Sequence, residues 1–280
     1  MKPGTLPATP RMIYLSDVPN FQRTTAAARS MVMGELTGKV AIVTGASKGI
    51  GAAIARRFAK AGAAVAVNYS SSKGDADKVV GEITREGGKA VAIQANVAKI
   101  ADVKRLFAET KAALGAPSVI VNNAGVFTFG PLEAATEADF HRQFDTNVLS
   151  VILTSQEAVG AFGPNGGSII NLSTISSVNP VPNSLIYSAS KAAVDTITRA
   201  LANELAGRKI RVNAIAPGMT ATEGLAALGI EGETAKTMGA ALPMGRLGQP
   251  DDIARVALFL ASDESAWLTG ERITASGGQR

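Results

Sequence analysis

Tyr187 and Lys191 stand four residues apart in an alanine-rich stretch, YSASKAAVDTITRALANEL. At helical spacing both side chains leave the same face. A phenol with an ordinary pKa of about 10 exchanges protons poorly near neutrality, but a neighbouring ammonium favours the phenolate and makes the tyrosine usable for proton transfer. Thirteen residues before Tyr187, at the carboxyl end of an apolar run, Ser173 and Thr174 offer hydroxyls that could hydrogen-bond a carbonyl oxygen. Thr174 is preferred, because Ser173 would face the same way only if the strand slipped by one residue.

A second constellation lies upstream. TGASKGIG (44–51) sets Gly45, Gly49 and Gly51 between an apolar run and a helical pattern. Glycine there allows a tight turn, close approach of backbone to a pyrophosphate and close packing of helix on strand, with the helix N-terminus facing the anion. About 20 residues on, nucleotide folds place an acid that holds the adenosine ribose and repels a 2′-phosphate. Here that end reads Asn68, Tyr69, Ser70, Ser71, Ser72 and Lys73. With Lys48 in the loop, these residues favour an added phosphate, so the expected cofactor is NADP(H). Asp75 and Asp77 are the alternative acids that would favour NAD(H).

These groups need a frame that brings them to one edge. Short apolar runs at 40–44, 63–68, 90–94, 118–122, 168–173, 210–216 and near 271–276 alternate with helical patterns at 50–61, 75–87, 99–114, 136–162, 187–206 and 250–261. Thr136 and Asp251 read as caps. Runs apolar on both faces suit a sheet covered on both sides, which predicts a single α/β domain with a doubly wound (Rossmann) seven-stranded parallel sheet over residues 35–280. Residues 218–249 are glycine-rich and follow a strand end, where such sheets bind ligands, and are expected to form a mobile lid over the substrate.

Composition removes other chemistries. The chain holds no cysteine and one histidine, His141, so thiolate and multi-histidine metal sites are out and no metal is expected. Residues 1–34 carry +3 of the net charge of +5, which leaves a nearly neutral body that offers nothing to nucleic acid. No apolar run reaches membrane-spanning length, and the chain reads as soluble and cytoplasmic. Residues 1–34 hold four prolines and no periodicity. They read as a disordered extension, either a transit peptide or, preferred, an upstream start before Met31 or Met33. His141 reads as structural or superficial and Trp267 as buried near the last strand; Phe127 and Phe129 follow NNAG closely enough to line a pocket, with core packing preferred.

From residue 36 to 280 the chain resembles the short-chain dehydrogenase/reductase family. The resemblance rests on TGASKGIG (44–51), NNAG (122–125), Asn147, the Ser/Thr site, YSASK (187–191) and PG (217–218), all in register. It implies that Tyr187 protonates the substrate oxygen, Lys191 lowers its pKa and binds the nicotinamide ribose, Thr174 orients the carbonyl, and Asn147 holds a water-linked proton relay. It places the cofactor against Gly45, Ser47, Lys48, Gly49, Ile50 and Gly51, then Asn68, Tyr69, Ser70 and Ser71. Further contacts are expected at Asn96, Val97, Asn123, Ala124, Gly125, Pro217, Gly218 and Thr222. Two residues depart from the family pattern: Thr174 stands for the usual serine, and Asn96 for an aspartate beside the adenine. The resemblance also implies a homotetramer built on the 136–162 and 187–206 helices and on the last strand. The expected activity is reduction of an aldehyde or ketone by NADPH. A 3-oxoacyl thioester reductase and an NADP-binding sensor without turnover are the alternatives.

Overall fold

The computed structural model describes residues 34–279; of the extension expected at 1–34, residues 1–33 and both start sites lie outside the described residues. Seven strands form one parallel sheet: β1 (Val40–Val43), β2 (Ala64–Tyr69), β3 (Lys89–Gln94), β4 (Val119–Asn122), β5 (Gly167–Leu172), β6 (Ile210–Pro217) and β7 (Arg272–Ala275). Their order is β3-β2-β1-β4-β5-β6-β7. The register runs Ile42 beside Ala66 on one side and beside Ile120 on the other. The chain reverses its direction of winding between β1 and β4, and the loops leaving these two strands therefore open a crevice at their carboxyl ends.

Alternation within the strands explains the two layers of helices. Ala41 and Val43 of β1 enter a core with Val65, Val67, Phe58 and Ile253, while Ile42 enters another with Ala66, Leu106 and Ile169. The five inner strands thus bury both faces, as their apolar runs require, while the edge strands β3 and β7 stay partly exposed. α1 (Gly49–Lys60), α2 (Lys73–Arg85) and α9 (Pro250–Ala261) supply the first core. α3 (Ile100–Leu114), α5 (Ser150–Ala161) and α6 (Leu185–Leu205) cover the second. All seven strands and five of the six helical patterns fall within about two residues of their predicted bounds, as element ends commonly do.

Four expectations change. The single helix expected at 136–162 is α4 (Glu137–Phe144), a π turn (Asp145–Leu149) and α5. Thr136 does cap it, accepting from the Asp139 N–H at 3.1 Å. The lid at 218–249 is not featureless: it contains α7 (Glu223–Ala226) and α8 (Gly232–Ala240). Asp251 does not cap α9. Its carboxylate takes two bonds from Arg57 at 2.8 Å, and Asp252 accepts from the Gln249 N–H at 2.7 Å instead. Trp267, expected to be buried, is 98% exposed. It follows the short turn Asp263–Ser265 and precedes β7, outside both cores.

Candidate active site

The glycine loop is built by close approach. Gly45 and Gly49 take φ of +59° and +57°, the left-handed region that glycine enters without a steric penalty. A Cβ on Gly45 would lie 2.9 Å from the Ala124 Cα, and one on Gly51 would lie 2.4 Å from the Asn123 Nδ2. The loops after β1 and β4 are therefore in contact, and only bare backbone fits between them. Asn123 donates to the Thr44 and Gly45 carbonyls at 2.8 and 3.0 Å, and the Thr44 Oγ1 accepts from the Asn123 and Ala124 amides at 3.0 Å. α1 starts at Gly49 with no acidic residue in its first turn. A bare loop ending in a helix N-terminus fits a nucleotide pyrophosphate, with Thr222 and the Glu223 carboxylate facing Gly49 across it. Ser47, Lys48 and Ile50 lie on this loop, with Lys48 exposed.

At the end of β2 the expected contacts divide. Ser70 and Ser71 are exposed. Asn68 is buried, and its side chain faces inward: Nδ2 donates to the Tyr69, Ile93 and Ala95 carbonyls, and Oδ1 accepts from the Gly45 N–H at 3.1 Å. The structure corrects its role from a phosphate contact to a brace of the glycine loop. Tyr69 is likewise part of a core. Lys73 is engaged with Asp77 at 2.6 Å, so its charge is shared. Asn96 Oδ1 accepts from the Ala98 N–H at 3.1 Å, and Val97 is buried beside it.

The residues expected to transfer protons lie on the other side of the crevice. Thr174 lies two residues past β5 in extended backbone, its Oγ1 accepts from the Ser176 N–H at 3.3 Å, and its hydrogen-bonding influence draws the Tyr187 phenol pKa down. Ser173 turns away into a buried position where its hydroxyl has no partner. Burial has the larger effect on Tyr187 and pushes its pKa above the ordinary 10.0. Lys191 is buried, its Nζ donates to the Leu172 carbonyl at 2.7 Å, and burial lowers its pKa to about 8 against the charge of Asp195. In the chain by itself Thr174, and not Lys191 as expected, opposes the burial of the phenol.

Asn147 sits in the π turn, 1% exposed. Its Oδ1 accepts from the Val126 N–H at 2.8 Å, and its Nδ2 donates to the Val126 carbonyl at 2.9 Å and to Ser190 Oγ at 3.0 Å. The π turn, a common device at functional sites, aims this amide at the loop after NNAG. A Cβ on Gly125 would stand 3.2 Å from the Asn147 Oδ1 and 3.5 Å from the Lys191 Nζ. Three sequence-distant residues thus converge. At the end of β6, Pro217 and Gly218 lie against the C-terminal segment, and Gly218 donates to the Ala275 carbonyl at 3.1 Å. Thr222 spends its hydroxyl as a cap, accepting from the Leu225 N–H at 3.3 Å.

Phe127 and Phe129, expected in the core, are 37% and 38% exposed. Both lie edge-on to the Tyr187 ring, with centroids 6.0 and 5.8 Å away. They form an aromatic wall beside the phenol, and Gly224 of the lid would bring a Cβ within 3.3 Å of Phe127. Their position two and four residues past NNAG was the signal in the sequence. His141 is a surface residue, 3.7 Å from Glu137.

Among the described residues no group of three or more His, Asp or Glu could hold a metal ion, and no helix is long and apolar enough to cross a membrane.

The family described as Enoyl-(Acyl carrier protein) reductase matches residues 45–280. An uncharacterized oxidoreductase of Methylorubrum extorquens is 52% identical over 249 residues, 89% of this chain and all of that one. A hydroxynaphthalene reductase-like protein Arp2 of Metarhizium robertsii is 41% identical over 87% of this chain and 95% of its own. Among solved structures, the angucycline C-6 ketoreductase LanV with bound NADP superposes with a TM-score of 0.82 at 37% identity, over 88% of this chain and 97% of that one.

Proposed function

The chain belongs to the short-chain dehydrogenase/reductase family, and we propose that it reduces a ketone or aldehyde to an alcohol with NADPH, Tyr187 giving up the proton. Members of the family bind a nicotinamide cofactor, and its relatives include ketoreductases. The observation that carries the reading is the convergence of Thr174, Tyr187, Lys191 and Asn147 beside a glycine loop that a nucleotide fits.

The bound nicotinamide supplies the hydride. Thr174 directs the substrate carbonyl oxygen toward the phenol, whose proton neutralises the charge growing on that oxygen. Desolvation keeps Tyr187 protonated, which suits a proton donor in the reducing direction. Lys191, buried but still largely charged below about pH 8, offers an ammonium to the nicotinamide ribose and favours the phenolate that remains. Asn147 holds the loop bearing Phe127 at a fixed height over the site and supports the expected water-linked relay.

NADPH is preferred to NADH because Lys48 and the hydroxyls of Ser70 and Ser71 stand exposed where an acid would otherwise select the free ribose. The aromatic wall favours a planar, apolar carbonyl substrate, in keeping with relatives named for hydroxynaphthalene and angucycline reduction. The thioester alternative shares the carrier-protein wording of the family description. Its best basic contact, Arg208, is turned to the Val159 carbonyl at 2.7 Å. The exposed Ile152 on α5 and Trp267 before β7 are the surfaces on which we place the homotetramer, and the cytoplasm is the compartment we assign.

Incubating the protein with aryl ketones, small aldehydes and 3-oxoacyl esters tests the reading by following oxidation of NADPH and of NADH at 340 nm. NADPH oxidation fastest with aryl ketones supports it. Turnover confined to 3-oxoacyl esters, or to NADH, refutes the substrate or the cofactor assignment respectively.

A further inference from the structure

Thr174 has a demanding position, because a hydroxyl that orients a carbonyl must itself be held, yet β5 ends at Leu172 and a short turn, Ile175–Ser177, follows at once. The turn supplies the Ser177 N–H to the Thr174 carbonyl at 3.2 Å and the Ser176 N–H to Thr174 Oγ1 at 3.3 Å, and a further hold comes from the last strand. Arg272, the first residue of β7, donates from Nη2 to the Thr174 carbonyl at 2.8 Å. The same guanidinium donates from Nε to Asp195 Oδ2 at 3.0 Å. Ser177 Oγ lies 2.5 Å from that carboxylate oxygen and 2.8 Å from the Thr174 carbonyl, which closes the ring. The arginine and aspartate side chains are 17% and 5% exposed.

A pair this deep is weakly explained by stability, since well-packed apolar residues of similar volume often do as well or better. The second carboxylate oxygen, Asp195 Oδ1, is buried without a partner. What the pair supplies is direction: a planar fork held on one side by a carboxylate can aim its other nitrogen at a single carbonyl. Asp195 also lies one turn beyond Lys191 on α6, and its charge supports the lysine's ammonium against burial.

We propose that Arg272 and Asp195 are positioning residues for the reaction: the pair clamps the Thr174 carbonyl and thereby fixes the direction of the Thr174 hydroxyl toward Tyr187. The inference rests on the role given to Thr174 above. It makes the last strand of the chain part of the catalytic geometry, although neither residue touches the reacting atoms.

A double-mutant cycle on the full chain tests it, with kcat and the KM of NADPH measured for Arg272→Met, Thr174→Ala and the double variant, and each melting temperature recorded. Arg272→Met is expected to lower kcat about tenfold or more with the cofactor KM within about twofold, Arg272→Lys to recover part of the loss, and Arg272→Met to cost less than about twofold once Thr174 is alanine. An equal loss in both backgrounds, or a lowered melting temperature with kcat unchanged, overturns the proposal. If Thr174→Ala alone leaves kcat at the wild-type level, the role of Thr174 itself falls and the inference with it. Should Arg272→Met not fold, Asp195→Asn carries the same cycle with the same criteria.

Discussion

Along the floor of the crevice the side-chain amides bond to backbone: Asn68 to three carbonyls and the Gly45 amide, Asn123 to the glycine loop, Asn147 to both polar groups of Val126. Over it, residues 218–249 are tied chiefly near their ends. Gly248 donates to the Met219 carbonyl at 2.9 Å, Ala221 to the Gly248 carbonyl at 2.8 Å, and Arg246 pairs with Asp252. Between these ties Leu228 and Met244 are exposed. The floor holds groups that any carbonyl would need in one place. As the lid we propose, the roof, with short helices and exposed apolar side chains, would change shape around different substrates without disturbing that geometry.

Four experiments break or sharpen this contrast. The largest effect belongs to the floor: Asn147→Ala leaves the Val126 N–H and C=O unpaired, a loss on the order of 3 kcal/mol, or roughly 6 to 12 °C in melting temperature by calorimetry. Activity should fall with it, because Phe127 and Gly125 lose their support. A melting temperature within a degree or two of wild type would show that the floor is not held as described.

Next comes Lys191, whose pKa of about 8 lies below the 10.5 of an unfolded lysine. The fold therefore opposes its charge fully below about pH 8, and that cost disappears as pH rises toward 10.5, so this residue's contribution to stability grows across the window. Tyr187, shifted upward, acts in the opposite sense above its ordinary 10.0. Urea unfolding between pH 7 and 9.5 should show wild type gaining up to about 2 kcal/mol relative to Lys191→Met. A parallel pH dependence in the two proteins would contradict the buried placement of the amine.

At the junction of the two regions, Phe127→Ala should raise KM for an aryl ketone about tenfold while leaving a small aldehyde nearly unaffected, since one edge of the aromatic wall is lost. Equal effects on both substrates would remove the wall from specificity. The smallest change is expected in the roof: Met244→Ala should alter unfolding free energy by less than about 0.5 kcal/mol, as exposed substitutions usually do, and shift substrate preference instead.

What the sequence made legible follows the same division. Strands that bury both faces leave unbroken apolar runs, so β1, β2, β4 and β5 could be read within a residue or two, and the glycine loop declared itself by spacing. The π turn at Asp145–Leu149 could not be seen, because one extra residue in a turn barely disturbs the helical period over 136–162. α7 and α8 were hidden by the glycines around them. Trp267 was placed by hydrophobicity alone, and for Phe127 and Phe129 hydrophobicity outweighed their position after NNAG, although it ranks residues for burial and carries no information about where a chain turns outward. Asn68 was read by its place at the end of β2, yet its amide was needed inside to knit β2 to the glycine loop. Arg272 and Asp195, 77 positions apart, had no local pattern that joined them.

The central claim is that the phenol of Tyr187 delivers the proton while the cofactor site stands independently of it. Tyr187→Phe tests this most directly, with NADPH affinity measured by fluorescence titration and turnover measured on the best aryl ketone. The account predicts that kcat falls by about 10² to 10⁴, the usual worth of a positioned proton donor, while the NADPH Kd stays within about threefold of wild type. A variant that turns over within about tenfold of wild type, or one that loses NADPH binding together with activity, would contradict it.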